Sequence, residues 1–542
     1  MFFGCDKLFS IMVSRFIKES VKKALGELFP ELNTVNFAVS PERRFGDYTT
    51  NAGMVAATSL GKPPKETAQN IVDYLSKDEN TARFFSKIEV AGPGFVNFTL
   101  SDECVAKELE ELPAILSGGL NNLTGEKINV EFISANPTGA LHIGHGRGAF
   151  YGDVLSNIFS FAGAAVTREY YINDSRESKQ IQELGKTALG QGETYLTEKL
   201  KTQIEKLKTE SIDFSEAGFQ LAGIVQKDNQ EFINKKLGIK FDLWYSEDKK
   251  LRSSLLNDRN LAAFKMKELT YEKDGAVWLK TSVYGDDEDR VVVRSDGSKS
   301  YFLSDISYHA DKFSRGYDRV IDIWGADHHG HVKRIEAVKK MLGWKGELKI
   351  FITQLVSLKE NGASSKMSKR VGNVIFLVNL INEINAINKF GVDAVRWFFS
   401  EKSLGTHMEF DMALARERSA KNPVFYVQYA HARINSILEK AKNVSADESK
   451  IADAMKDKEA RALAVKITEF PEVISGITED YQVHKLTTYA YELASTFARF
   501  YEEVRVVGEK DYNSGALELA TLAKETIAKS LNLLGISAPN KM

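Results

Sequence analysis

Apolar residues recur at three and four along residues 10–29. Ile11, Val13, Phe16, Ile17, Val21, Leu25 and Leu28 can share one face, and Pro30 ends the run, which predicts a helix. Residues 36–40 and 88–100 read as strands. The second is broken by Gly92-Pro93-Gly94 and resumes as the alternating Phe95-Val96-Asn97-Phe98. Helical stretches lie between them, so residues 1–122 are expected to form a small α+β domain that ends in the turn-rich Ser117-Gly118-Gly119-Leu120-Asn121-Asn122. The texture changes at Lys127. Residues 128–133 read as a buried strand, and Ser134-Ala135-Asn136-Pro137-Thr138-Gly139 must be a loop. A helix from about Gly146 to Ala162 and a strand at 166–172 complete a strand–loop–helix–strand unit, the building block of a parallel sheet. Residues 320–324 and 348–352 supply further strands. Residues 180–270 are Lys/Glu-rich and read as a helical insertion between the two halves of the sheet, and residues 291–302 read as a hairpin turning at Asp296-Gly297. From 411 onward nearly everything has helical spacing, as in Phe497, Phe500, Tyr501 and Val504. The expected fold class is α/β. A Rossmann-type parallel-sheet domain spans 123–410 with its helical insertion, between an N-terminal α+β domain at 1–122 and an all-helical domain at 411–542.

A chain of 542 residues suits three or four domains at roughly 150 residues each. Its 72 basic and 74 acidic residues argue against a globally cationic nucleic-acid coat. Residues 411–542, with 18 Lys/Arg against 19 Asp/Glu, show no bias toward a polyanion either. Two cysteines, Cys5 and Cys104, cannot make a disulfide framework or a four-cysteine zinc site, which fits a reducing compartment. No apolar run approaches the roughly 20 residues of a membrane span. Asp6, Lys7 and Arg15 break the apolar N-terminal stretch, so a cytoplasmic protein is expected.

Two motifs carry chemistry. Leu141-His142-Ile143-Gly144-His145-Gly146-Arg147-Gly148 opens a helix directly after a strand and loop. A helix tip offers free backbone N–H groups and the positive end of a dipole to phosphate. Gly144 and Gly148 would let a ligand approach, and the imidazoles add donors. Alone, such a pair reads as a helix cap or a metal pair; the strand–helix setting turns the reading toward phosphate. Ser365-Lys366-Met367-Ser368-Lys369-Arg370 sits between Asn361-Gly362 and Gly372-Asn373. Its cations suit charge that develops during nucleotidyl transfer, though taken alone the motif reads better as a solvated basic loop.

Together, 221 residues apart and in this order, the two motifs resemble the paired signature of class I aminoacyl-tRNA synthetases. Much of the chain resembles the arginyl-tRNA synthetases of the bacterial type. The likeness runs through Glu131–Gly139, Tyr170-Tyr171-Ile172-Asn173-Asp174, Tyr301-x-x-x-Asp305-Ile306-x-Tyr308-His309 and Trp324–Gly330. It continues in Asp393-Ala394-Val395-Arg396, Tyr429-Ala430-His431-Ala432-Arg433 and the ending Leu533–Pro539, and Phe45-Gly46-Asp47-Tyr48-x-x-Asn51 resembles the family's N-terminal domain.

The resemblance implies a set of roles. His142 and His145 would serve phosphate oxygens beside Gly144 and Gly148. Lys366, Met367, Ser368 and Lys369 would close on the β- and γ-phosphates. Ser134, Ala135 and Asn136 would hold the substrate's α-amino and carboxylate groups with His145 nearby, and Glu131 would add charge for the ammonium. A guanidinium has five donors in one plane and is best met by carboxylates and a neutral acceptor. Asp305, with Tyr301 one helical turn earlier, offers such a pair, and Glu247 would be the second carboxylate. The bland readings are a helix cap and core aromatic for the first two and a surface carboxylate for Glu247. Asp327 or His328 would compensate for Ala326, where some eukaryotic relatives place a glutamine. A second departure is Ser175-Arg176-Glu177-Ser178-Lys179-Gln180, longer and more charged than the family's segment after Asn173-Asp174. Implied partners are L-arginine, ATP as substrate with Mg2+ carried by its phosphates and no protein-bound metal, and tRNA(Arg). The C-terminal helices would read the anticodon and the N-terminal domain would touch the tRNA elbow. Class membership implies a monomer, and the lack of a long apolar run implies no membrane association.

Overall fold

The computed structural model describes residues 13–32, 35–42, 45–207, 212–253, 255–360, 363–365, 375–388, 390–441, 450–506 and 513–542. The first helix, Val13–Leu28, buries Val13, Phe16, Ile17, Val21, Ala24 and Leu25, the face its spacing predicts. It packs on a four-stranded antiparallel sheet ordered Val39–Pro41, Tyr48–Thr50, Phe95–Leu100, Phe85–Ala91. The Gly92–Gly94 turn joins the last two strands, both glycines having positive φ. Two expectations change here. The strand at 36–40 is only Val39–Pro41, and Tyr48–Thr50 forms a strand that three residues are too few to announce by alternation.

Five parallel strands make the central sheet, ordered Glu347–Thr353, Arg319–Gly325, Lys127–Glu131, Ala165–Ile172, Leu243–Ser246. The helix Ile143–Phe161 crosses from the third of these to the fourth and starts three residues before the expected Gly146. It lies so close that a Cβ on Gly152 would sit 2.3 Å from Phe132 Cγ. Residues 180–270 are not wholly an inserted helical unit. Lys179–Ala188 and Phe214–Phe232 pack on each other through Gly185 and Gly218, where any Cβ would strike opposing backbone carbonyls. Leu243–Ser246, within the same span, is the edge strand of the main sheet. Four residues between charged neighbours carry too short a pattern to be read as a strand. The expected hairpin at 291–302 is also corrected. Arg290–Val293 pairs with Ala276–Leu279, and only a single bridge, Val293 to Lys299, spans the Asp296-Gly297 turn. Ser300 instead caps a helix, accepting from Leu303 N, so Tyr301 opens the helix Tyr301–Ser314.

The C-terminal part is a bundle of Pro423–Lys440, Lys458–Thr468, Phe470–Asp480, His484–Glu503 and Ser514–Leu533. Arg396 joins it to the sheet domain. Its guanidinium, fully buried, donates to Asp153 Oδ2 (2.8 Å) on the Ile143–Phe161 helix, to Leu237 O (2.6 Å) and to Leu534 O (3.2 Å). The N-terminal domain is tied on by Arg461 to Asp47 and Asp102 and by Tyr48 Oη donating to Glu472. Among the described residues no helix is long and apolar enough to cross a membrane.

Candidate active site

His142 is the N-cap of the helix at the sheet's C-terminal edge. Its Nδ1 accepts from Gly144 N (3.1 Å), and His145 Nδ1 accepts from His142 N (3.1 Å), a capping box built from two imidazoles. The rings stack with centroids 3.7 Å apart. Gly144 is required because a Cβ there would lie 2.9 Å from the His142 ring. Ile143 N donates to Ile375 O and His145 N to His142 O. The backbone N–H groups of 142–145 are therefore already used, contrary to the expectation that they stand free for phosphate. The donors left at the tip are the two Nε2–H groups, because accepting at Nδ1 puts the ring proton on Nε2. Gly148 faces the sheet rather than the tip: a Cβ there would meet Ile323 and Thr353 side chains.

Both rings are neutral. Burial lowers His142 against an opposing pull from Asp327, and burial together with His142 lowers His145 to about 3. A histidine depressed from 6.5 stabilises the fold fully above pH 6.5 and loses that contribution as pH falls below it, because the unfolded chain then binds the extra proton. The thermal midpoint should therefore fall as pH drops from 6.5 to about 5, with a shallower slope in His145→Gln, as thermal unfolding at stepped pH would measure.

The loop after the first central strand leaves the β region. Ile133 and Ser134 have φ of 68° and 39°, so the expected strand ends at Glu131. A β-branched residue and a serine held there are strained, the kind of outlier that clusters at working sites. Tyr170 Oη clamps the loop by donating to Ala135 O and accepting from Ala135 N, both 3.1 Å. Ala135 is thus buried with both backbone groups engaged. Ser134 Oγ donates to Glu131 Oε1 (2.9 Å) and accepts from Tyr171 N. Asn136 is exposed and accepts from Asn173 Nδ2 (2.9 Å).

Glu131, Ser134, Asp305 and His328 line one cavity of about 110 Å³, together with Tyr171 and His331. Asp305 is half-buried, 3.5 Å from His331 Nδ1. Tyr301 is half-exposed, its Oη 2.6 Å from Ser178 Oγ. Glu247 is buried just beyond. Burial pushes it up to about 7, with Arg252 pulling down and Asp305 and Asp174 pushing up. Asp327 is exposed beside His328, at 3.5 Å. Lys366, Met367, Ser368 and Lys369 lie outside the described residues. Their flanks are described: residues 363–365 pair back on 358–360, and Phe376 bridges to His142.

Beneath the cavity lies a network that the sequence reading does not assign. Lys312 Nζ, fully buried, donates to Glu131 Oε2 (2.6 Å) and Asp322 Oδ1 (2.7 Å). Tyr308 Oη lies 2.8 Å from Glu131 Oε2 and 2.9 Å from Glu169 Oε1, and Arg315 pairs with Glu169. His309 Nε2 lies 3.1 Å from Asp322 Oδ2. The available signal was spacing: Asp305, Tyr308, His309 and Lys312 recur at three and four and share one helix face. In the C-terminal bundle His431 is buried, its Nδ1 2.9 Å from Pro539 O, while Tyr429 stays exposed.

Three family models match the chain. They are "Arginyl tRNA synthetase N terminal domain" over residues 15–100, "tRNA synthetases class I (R), catalytic domain" over 114–180 and 179–392, and "DALR anticodon binding domain" over 427–542. A parallel sheet with a histidine-capped helix at its edge, carrying such a bundle, defines a class I aminoacyl-tRNA synthetase. The arginine–tRNA ligase 1 of Halalkalibacterium halodurans is 39% identical over 96% of both chains, and the arginine–tRNA ligase of Bacillus licheniformis is 38% identical over 97% of this chain and 98% of its own. Thermus thermophilus arginyl-tRNA synthetase superposes with a TM-score of 0.78 at 21% identity, covering 98% of this chain and 100% of that one. The chain belongs to the arginyl-tRNA synthetase family.

Proposed function

We propose that the protein activates L-arginine with ATP and transfers it to the 3′-terminal adenosine of tRNA(Arg), releasing pyrophosphate and then AMP. The observation that carries this reading is the cavity lined by Asp305 and Glu131, with Glu247 buried just beyond, whose His328 stands beside Asp327, the carboxylate that acts on His142 at a helix tip with two neutral imidazole donors. The arginine carboxylate attacks the α-phosphate, and no protein nucleophile is needed. Catalysis is positioning plus charge stabilisation. The His142 and His145 Nε2–H groups donate to phosphate oxygens and, being neutral, hold their protons throughout. Lys366 and Lys369, with Met367 and Ser368 between them, neutralise the outer phosphates, a role supported by the pairing of Phe376 with His142 just beyond that segment. Asp305 and Glu247 take the guanidinium with Tyr301 at its edge. Ser134, Asn136 and Glu131 take the α-amino and carboxylate end, and Asp327 and His328 stand at the rim.

Mg2+ would enter as the counter-ion carried by the ATP phosphates. In the second step the terminal adenosine 2′-hydroxyl displaces AMP. The bundle, with Tyr429 and Arg433 on its surface, would meet the anticodon by stacking. The domain bearing Phe45, which is strongly exposed, would meet the tRNA elbow. The protein would act as a cytoplasmic monomer. Charging of total tRNA with each of the twenty amino acids tests this: arginine alone should be attached, and charging with another amino acid at a comparable rate would refute it.

A further inference from the structure

The carboxylate read as a guanidinium partner already has a guanidinium beside it. Glu247 is buried, and its Oε1 accepts from Arg252 Nη2 at 3.3 Å. Its Oε2 has no hydrogen bond among the described residues. Arg252, itself only 13% exposed, is held from the other side, its Nη1 donating to Glu177 Oε2 at 2.6 Å. Glu177 lies in Ser175–Ser178, the charged segment that departs from the family pattern. Arg176 of that segment pairs with Asp248, next to Glu247, and with Glu216 at 2.8 Å, and its guanidinium lies 3.5 Å over the Phe219 ring. Ser178 holds Tyr301 at 2.6 Å. One short segment therefore grips the turn after Glu247 twice and the Tyr301 hydroxyl once.

We propose that Arg252 is a positioning residue for the amino-acid substrate: it fixes Oε1 of Glu247 so that Oε2 meets the incoming guanidinium as a charged acceptor. This rests on the reading of Glu247 given under Proposed function. A buried carboxylate without a cationic partner takes up a proton rather than stay charged. The groups facing Glu247 are Asp305 and Tyr301 from their helix, Asp174 and Tyr171 from the sheet's end, and Arg252 from its own turn, and of these only Arg252 is a cation. Burial raises Glu247 to about 7 even with Arg252 in place, so the carboxylate is poised to lose its charge if that partner goes. If Arg252 merely occupied the substrate's place, removing it would tighten arginine binding. If it positions and charges Glu247, removing it weakens binding, and higher pH restores it.

The test is the KM for arginine and for ATP, with kcat, in tRNA charging by the full chain. Arg252→Gln, Arg252→Lys and Glu247→Gln are compared at pH 7 and pH 9, each relative to wild type at the same pH. Arg252→Gln should raise the arginine KM about tenfold at pH 7, leave kcat and the ATP KM within about twofold, and narrow to about threefold at pH 9. Arg252→Lys, which keeps the charge and loses the fork, should stay within about threefold at both, and a tenfold loss there would overturn the charge role even if Arg252→Gln failed to fold. An arginine KM unchanged or lowered in Arg252→Gln, or a deficit equal at the two pH values, overturns the proposal. Glu247→Gln should raise the arginine KM at both pH values. If it does not, the reading of Glu247 itself falls; if it does while Arg252→Gln is silent, only this inference falls.

Discussion

Lys312→Met should destabilise the protein by about 3–5 kcal/mol, read as the shift in a denaturant unfolding curve. The lysine is fully buried, with Glu131 and Asp322 at 2.6 and 2.7 Å. Burial opposes its charge, but Asp322, Glu131 and Glu169 more than offset that and raise its pKa. Methionine fills the stem's volume, so the loss is not a cavity. It is two carboxylates left buried without their cation, the large arm of the asymmetry between removing one partner of an ion pair and replacing both. Glu131 sits at the floor of the cavity and orients Ser134, so any Lys312→Met protein that folds should also bind arginine more weakly. A variant as stable as wild type would mean that water or a local shift supplies the charge balance.

Asp305→Asn should lower kcat/KM for arginine about 10²-fold, close to 2.7 kcal/mol, with the ATP KM nearly unchanged. Asparagine keeps the shape and one acceptor oxygen but cannot balance a guanidinium. The side chain is about one-third exposed and not consumed by an internal arginine or lysine; its nearest charged-type neighbour is His331 at 3.5 Å. That leaves it available to a ligand cation, in contrast to Asp322, which is fully buried against Lys312. A loss confined to ATP, or none at all, would move the guanidinium elsewhere.

The parts legible in the chain were those with long periodicity. The helix face of Val13–Leu28, the central strands and the C-terminal bundle all carry patterns long enough to outweigh accidents of composition. Leu243–Ser246 is not legible because four residues cannot show a period, and the hairpin expected at 291–302 gives way because Ser300 serves as a helix cap rather than a strand residue. The left-handed Ile133 and Ser134 contradict local preference and exist only because Tyr170 and Tyr171 hold the loop from another strand. At the site, the two histidines read as a phosphate motif, but the backbone N–H groups at the tip are used by the histidines' own capping box and, at Ile143, by Ile375 O more than 200 residues away. Nothing local to Lys312 marks it as buried, because its partners Glu131 and Asp322 come from two separate strands.

The most direct test uses citrulline, which matches arginine in shape and replaces the guanidinium by a neutral urea. In arginine-dependent pyrophosphate exchange with tRNA present, its inhibition constant should exceed the arginine KM at least about 100-fold, since it offers Asp305 and Glu247 no charge. Competition by citrulline within a few-fold of arginine would show that the cavity reads shape rather than charge, and the acidic pocket would not be the seat of the side chain.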